Sequence, residues 1–213
     1  MIGSPEINKV IRKILTPTLK ENGFNKVNTR HNWASIDHCI WVVDITAVGK
    51  YFSEVTGWSP MSIHVELGIY YDFVPTENSD IKTGTKGELL PKAHQCQLPN
   101  ELNCNIDQAN YTRHFDNPAE VDRKDIWWIE TNGSNIEEVI SDIKHSFLIS
   151  GLDWFRKYTD LETAFNEIEK EHNSFNKFYN AKYFAKHLND NAKFNEYSQL
   201  LEREQKRIDS FFN

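Results

Sequence analysis

The chain has 213 residues, 39% of them hydrophobic, with 24 Lys and Arg against 31 Asp and Glu and a formal net charge of -7. That length and apolar content suffice for one large domain, or for a domain with an extension, without disulfides or metal to hold it together. The acidic balance, with Lys and Arg dispersed among acids, argues against nucleic acid and anionic membrane as partners, because both attractions begin with a basic field.

Cys39, Cys96 and Cys104 are too few and too scattered for the disulfide framework of a small secreted domain. Met-Ile-Gly-Ser-Pro-Glu lacks the order of a secretory leader, and no apolar run approaches a membrane span. A cytoplasmic setting is therefore expected. The sequons at Asn110 and Asn132 carry no meaning there.

Ser4, Pro5 and Glu6 read as an N-cap, a first-turn proline and a first-turn acid, followed by Ile7, Val10, Ile11 and Ile14 at helical spacing. Pro17 is expected to interrupt or bend this helix, which then resumes through Leu19 until Gly23 ends it. A short edge strand around Trp33 and Ile36 is expected next.

The stretch from His38 to Phe73 organises the rest. Residues 39–48 are nearly continuous in apolar and β-branched side chains, as in a central strand covered on both faces. In the next strand Ile63, Val65, Leu67, Ile69 and Tyr71 alternate with His64, Glu66, Gly68, Tyr70 and Asp72, the pattern of one dry and one wetter face. Between the strands, residues 49–60 read as a long loop bearing Tyr51, Phe52 and Trp58, whose aromatics either bind a ligand or fold back on the sheet edge.

Residues 75–118 read as irregular structure or short edge pieces, and Ile126, Trp127, Trp128 and Ile129 as a third short strand. A capping box of Ser134 and Glu137 predicts a helix with Ile136, Val139, Ile140, Ile143 and Phe147 on one face, closed by Gly151. A second box, Thr159 with Glu162, predicts a helix with Leu161, Ala164, Phe165 and Ile168 inward. Two further amphipathic helices, with Ala181, Phe184, Ala185 and Leu188 on the first and Phe194, Tyr197, Leu201 and Ile208 on the second, predict an antiparallel hairpin around Asn189-Asp-Asn191.

The fold expected is α+β: a mainly antiparallel sheet with helices packed on one face, residues 1–172, plus a C-terminal helical hairpin, residues 173–213. Leu15-Thr-Pro-Thr-Leu-Lys-Glu-Asn-Gly-Phe24, Trp41-Val-Val-Asp-Ile45, Ile63-His-Val-Glu-Leu-Gly-Ile69, the Trp127-Trp128 strand and Gly151-Leu-Asp-Trp-Phe155 occur in an order that resembles a bacterial family, that of domain of unknown function 4304. The resemblance spans about residues 5–170 and implies a small cytosolic α+β domain with no established activity. One departure is Thr46-Ala-Val48, where relatives carry a Gln-Lys-Ser-like polar run.

No nucleophile elbow, phosphate-cradling glycine loop, dinucleotide fingerprint or His-Glu-x-x-His is present, so no catalytic residue, cofactor or metal ligand is assigned. His94, Cys96, Cys104 and His114 lack the paired spacing of structural zinc. Asp37 and His38, with His31 nearby, read as a capped strand start. Candidate binding residues are His64 and Glu66, side by side on one face, with Asp44 if the neighbouring strand brings it opposite, and the aromatics Trp58 and Trp128.

Two functions follow as expectations. The first is a non-catalytic protein-interaction module, one version being a toxin-neutralising or conflict-system component, because charge is negative, aromatics are in surplus and catalytic motifs are missing. The second is a small-ligand-binding protein or enzyme using the His64, Glu66 and Asp44 cluster. Homodimerisation through the C-terminal helices is a further expectation.

Overall fold

A computed structural model of the protein describes residues 2–76, 80–108, 120 and 123–212. The Asn110 sequon and His114 lie outside them. Helix α1, Ser4–Glu21, buries Ile7, Ile11, Leu15 and Leu19 along one side. Its N-cap is Gly3 rather than Ser4, and the Glu6 carboxylate accepts from the Gly3 N–H at 3.1 Å. Pro17 does not interrupt the helix. The turn beyond it still buries Thr18 and Leu19, and that packing offsets the backbone hydrogen bond a proline removes. Gly23, at φ 92°, closes the helix, with Phe24 N–H donating back to the Leu19 carbonyl.

Strands β1 (Lys26–Asn28), β2 (His31–Ile36), β3 (Cys39–Ala47) and β4 (Ile63–Tyr71) form an antiparallel sheet. β3 and β4 pair from Cys39 opposite Tyr71 to Ala47 opposite Ile63, so β3 is the central strand its composition predicts. Strand β7 (Leu98–Glu101) completes the order β1-β2-β3-β4-β7, and β8 (Ile126–Trp127) also pairs with β4. The remaining pair, β5 (Lys82–Thr83) and β6 (Leu89–Leu90), is a separate small hairpin. Pro99 sits in β7 because that strand is at an edge, where a missing N–H is tolerated.

One sheet face is the core. Trp41, Val43 and Ile45 of β3 and Ile63, Val65, Leu67, Ile69 and Tyr71 of β4 join α1 and α3 (Ile136–Ser146) in a single apolar cluster. The second face is drier than its alternation suggests, for two reasons. A 3-10 turn, Ala93–Gln95, lies over Gly68, leaving so little room that a Cβ there would meet Cys96 Sγ at 2.5 Å. Two small clusters also cover it, Trp33 with Val42 and Ala93, and Val48 with Trp58, Ile126 and Trp128. Tyr70 is buried as a result, while His64 and Glu66 stay half-buried.

Residues 49–60 are not all loop: Lys50–Thr56 is helix α2, stopped by Gly57 at φ 82°. Gly151 does not end the helix that precedes it. The chain runs from α3 through a π-turn, Phe147–Gly151, directly into α4, Leu152–Thr159. There Gly151 serves close packing, since a Cβ would lie 3.2 Å from Leu102 and 3.3 Å from Phe147. Helix α3 is N-capped at Asn135 without a capping side-chain bond, and α5 (Leu161–Ile168) at Asp160, whose carboxylate accepts from Thr163 N–H at 2.9 Å. Thr159 is used instead as a clasp, accepting from Trp41 Nε1 at 2.8 Å and so tying the end of α4 to β3.

The hairpin of α6 (Phe175–His187) and α7 (Asn191–Phe212) lies against the sheet domain. Phe178, Ala181, Phe184 and Ala185 enter the main core, and the Phe184 ring meets Tyr71 at 4.7 Å and Phe73 at 4.9 Å between centroids. Among the described residues no helix is long and apolar enough to cross a membrane.

Candidate functional site

The edge of β4 changes partner midway. Glu66 to Ile69 pair with β7, whereas Ile63 and His64 pair with β8, so a seam falls at Val65. Leu102 N–H donates to the Val65 carbonyl at 3.0 Å as β7 ends, and Cys104 N–H donates to the Lys124 carbonyl at 2.6 Å just before β8 begins. The seam brings together residues remote in sequence: Glu101, the last of β7, and Asp125, immediately before β8. Glu101 stands directly opposite Glu66 and therefore shares the face that carries His64.

His64 Nε2 lies 3.4 Å from Glu101 Oε1 and 3.9 Å from Asp125 Oδ2, and the three ligand-type atoms fall within 4.8 Å of one another. Among the described residues this is the one group of three such side chains so arranged. The His64 nitrogen is itself shielded from solvent and makes no hydrogen bond, because neither contact has hydrogen-bond geometry.

Asp125 is held from behind by Arg123, which donates from Nε to Oδ1 at 2.9 Å and from Nη2 to Oδ2. That bidentate bond holds the Asp125 carboxyl below its usual range and pushes the Arg123 guanidinium up. Arg123 Nη1 also reaches Glu120 at 3.4 Å, and Glu120 accepts from Trp58 Nε1 at 2.9 Å. Phe52 of α2 lies under the guanidinium, 5.4 Å from ring centroid to charge, so the short helix is anchored to the same chain of contacts.

The sequence candidates are distributed unevenly around this seam. His64 is in it and Glu66 adjoins it, lining with Glu101 a cleft of about 580 Å³. Asp44 stands opposite Glu66 in register, but it is buried and its oxygens are occupied: Oδ1 by His31 Nδ1 at 2.8 Å and Oδ2 by Ala93 N–H at 2.9 Å. Trp58 and Trp128 are both buried, tilted together at 5.9 Å between centroids, and form a floor under α2 rather than an open groove. Trp127 and Trp128 do face opposite ways, one into the main core and the other into this floor.

Sequence reasoning missed Glu101, Asp125, Arg123 and Glu120. Only Asp125 left a trace, as the acid just before the Ile126 strand. The three thiols are shut away from nucleophilic chemistry: burial pushes Cys39 up to about 11, Cys104 up to about 12 and Cys96 well above the usual thiol value. Cys96 packs over Gly68, and Cys104 donates weakly to the Ile106 carbonyl at 3.6 Å.

Compared with known proteins, residues 15–157 match the family model described as Domain of unknown function (DUF4304). No curated protein matches the chain, and no solved structure does.

Proposed function

The chain belongs to the DUF4304 family, whose description assigns no chemistry, and we propose that it works by binding a protein partner through the surface that α2 presents, not by turning over a substrate. One observation carries this reading. Tyr51 is 81% exposed and Val55 66% exposed, one helical turn apart on a helix that buries none of its own residues. Single exposed apolar side chains are ordinary on any protein surface. An aromatic and an aliphatic side by side on a pinned helix are not explained by packing, and tyrosine is a favoured interface anchor.

The partner expected is a protein with an apolar contact set in a basic surround. The net charge of -7 supports this, as does the local charge, since Glu120 and Asp125 pair with the Arg123 that packs on Phe52 of α2, and Glu66 and Glu101 lie along the same seam. Neutral thiols and an Asp125 already bonded to Arg123 favour binding over catalysis.

A photo-crosslinking phenylalanine analogue at position 51, expressed in the native host, tests the reading, with position 89 as the exposed control. A discrete adduct with one basic protein at 51, absent at 89, supports it. Equal adducts at both positions, or none at 51, dismiss it.

A further inference from the structure

We infer that the seam between β7 and β8 is a binding site for one divalent transition-metal ion of the zinc class, held by His64 Nε2, Glu101 Oε1 and Asp125 Oδ2. The inference is independent of the protein partner proposed above.

The donor geometry comes first. Zinc binds imidazole nitrogen and carboxylate oxygen at about 2.0–2.2 Å, so two donors on one tetrahedral ion stand about 3.4 Å apart. The His64–Glu101 separation is 3.4 Å and the His64–Asp125 separation 3.9 Å. The His64–Glu101 pair already has that spacing, and closing the His64–Asp125 separation by about 0.5 Å brings the set onto one ion.

The unused nitrogen is the second observation. His64 Nε2 is buried, bonded to nothing, and aimed between two carboxylates. The Nε2 nitrogen faces two carboxylates that only accept, and neither contact has hydrogen-bond geometry, so the nitrogen is unsatisfied where it stands. One proton on His64 or one metal ion satisfies it.

Charge separates these two occupants. Glu66 lies directly opposite Glu101, an arrangement of like charges that costs stability unless a counter-charge is near. Asp125 and Glu120 pair with Arg123, and among the described residues no Lys or Arg forms an ion pair with Glu66 or Glu101. The neutral Nε2–H tautomer adds no charge to that surplus, an imidazolium adds one and a divalent ion adds two. Arg123 in turn bonds both oxygens of Asp125, Oδ2 included, and so fixes the carboxylate, the kind of supporting bond that metal-ligating carboxylates commonly have. The imidazole selects a transition metal over magnesium or calcium, which prefer oxygen alone. Three protein ligands leave a fourth position for water or for a group from outside.

The ion also has a structural consequence. Glu101 ends β7 and Asp125 immediately precedes β8, the two strands that share the β4 edge, so one ion ties both to β4.

The test is calorimetric titration of the full chain, stripped with chelator, using zinc chloride, followed by cobalt chloride spectroscopy. Expected is one zinc per chain, a raised unfolding temperature, and a cobalt spectrum of a nitrogen- and oxygen-ligated site without a thiolate charge-transfer band. Glu101→Gln and His64→Gln are expected to weaken zinc at least about tenfold, the least a ligand should cost given what supporting residues cost. Glu101→Gln replaces an exposed side chain and keeps the fold, so its result stands even if His64→Gln destabilises the chain. Absence of stoichiometric zinc, zinc binding undiminished in Glu101→Gln, or a thiolate band would overturn the inference.

Discussion

Asp44 and Glu66 stand directly opposite one another on β3 and β4, and of the two only Asp44 has both oxygens occupied by hydrogen-bond partners. His31 and the Ala93 N–H occupy its two oxygens, which lets a carboxylate sit 2% exposed between two strands and fastens the 3-10 turn onto the sheet. Glu66 has no such partners and turns its charge toward Glu101 and the cleft. Two acids in register thus have different work, one holding the fold and the other charging the seam.

Asp44→Ala leaves the Ala93 N–H without its acceptor and should cost about 1–3 kcal/mol, the usual penalty for an orphaned buried donor. Urea unfolding measures it. A loss below a few tenths of a kcal/mol would mean that the turn is held by something else.

Gly68→Ala places a Cβ 2.5 Å from Cys96 Sγ and 3.0 Å from the Ala93 Cα, so the turn must lift. Overpacking of this kind costs about 1–3 kcal/mol. The same substitution should increase the reactivity of Cys96 toward a thiol reagent, and an unreactive, fully stable variant would contradict the close approach.

Phe184→Ala removes a ring that is fully buried against Tyr71, Phe73 and Phe165. A cost of about 3–5 kcal/mol is expected from a large-to-small change in a core. For the same reason a chain ending at Glu171 should bind a hydrophobic dye and lose its cooperative melt. Were that fragment to melt like the full chain, α6 would be an appendage and not a part of the core.

These expectations show which part of the fold could be read without coordinates. The β3 and β4 pairing was legible because each strand's own side chains carry the pattern, and the helical faces of α3 and α6 were legible for the same reason. Gly151 misled because a sequence shows what a residue permits, and packing decided whether the permission was used. Glu101 and Asp125 were illegible: their meeting depends on where β4 exchanges β7 for β8, and register is a property of pairs of segments. His64 was legible as one member of a side-chain cluster whose other members sequence spacing could not supply.

The thiols make a prediction about pH. Cys39 and Cys104 keep their protons up to about 11 and about 12 in the fold, against an ordinary value of 9.0, chiefly because burial disfavours thiolate. Their contribution to stability is whole below pH 9 and is lost as pH rises toward those values, with the raised tyrosines Tyr71 and Tyr197 acting in the same direction. Unfolding midpoints should fall between pH 9 and 12. At pH 8 thiol labelling of the native protein should run at least about a hundredfold slower than after unfolding, following the thiolate fraction. Rapid native labelling would contradict the burial of Cys39 and Cys104.

Protein binding through α2 is tested most directly by the affinity of the protein crosslinked at position 51 for the wild type and for the Tyr51→Ala/Val55→Ala double variant. The account predicts binding at least about tenfold weaker in the variant, some 1.4 kcal/mol, at an unchanged unfolding midpoint because neither side chain is buried. An affinity equal to that of the wild type would contradict it.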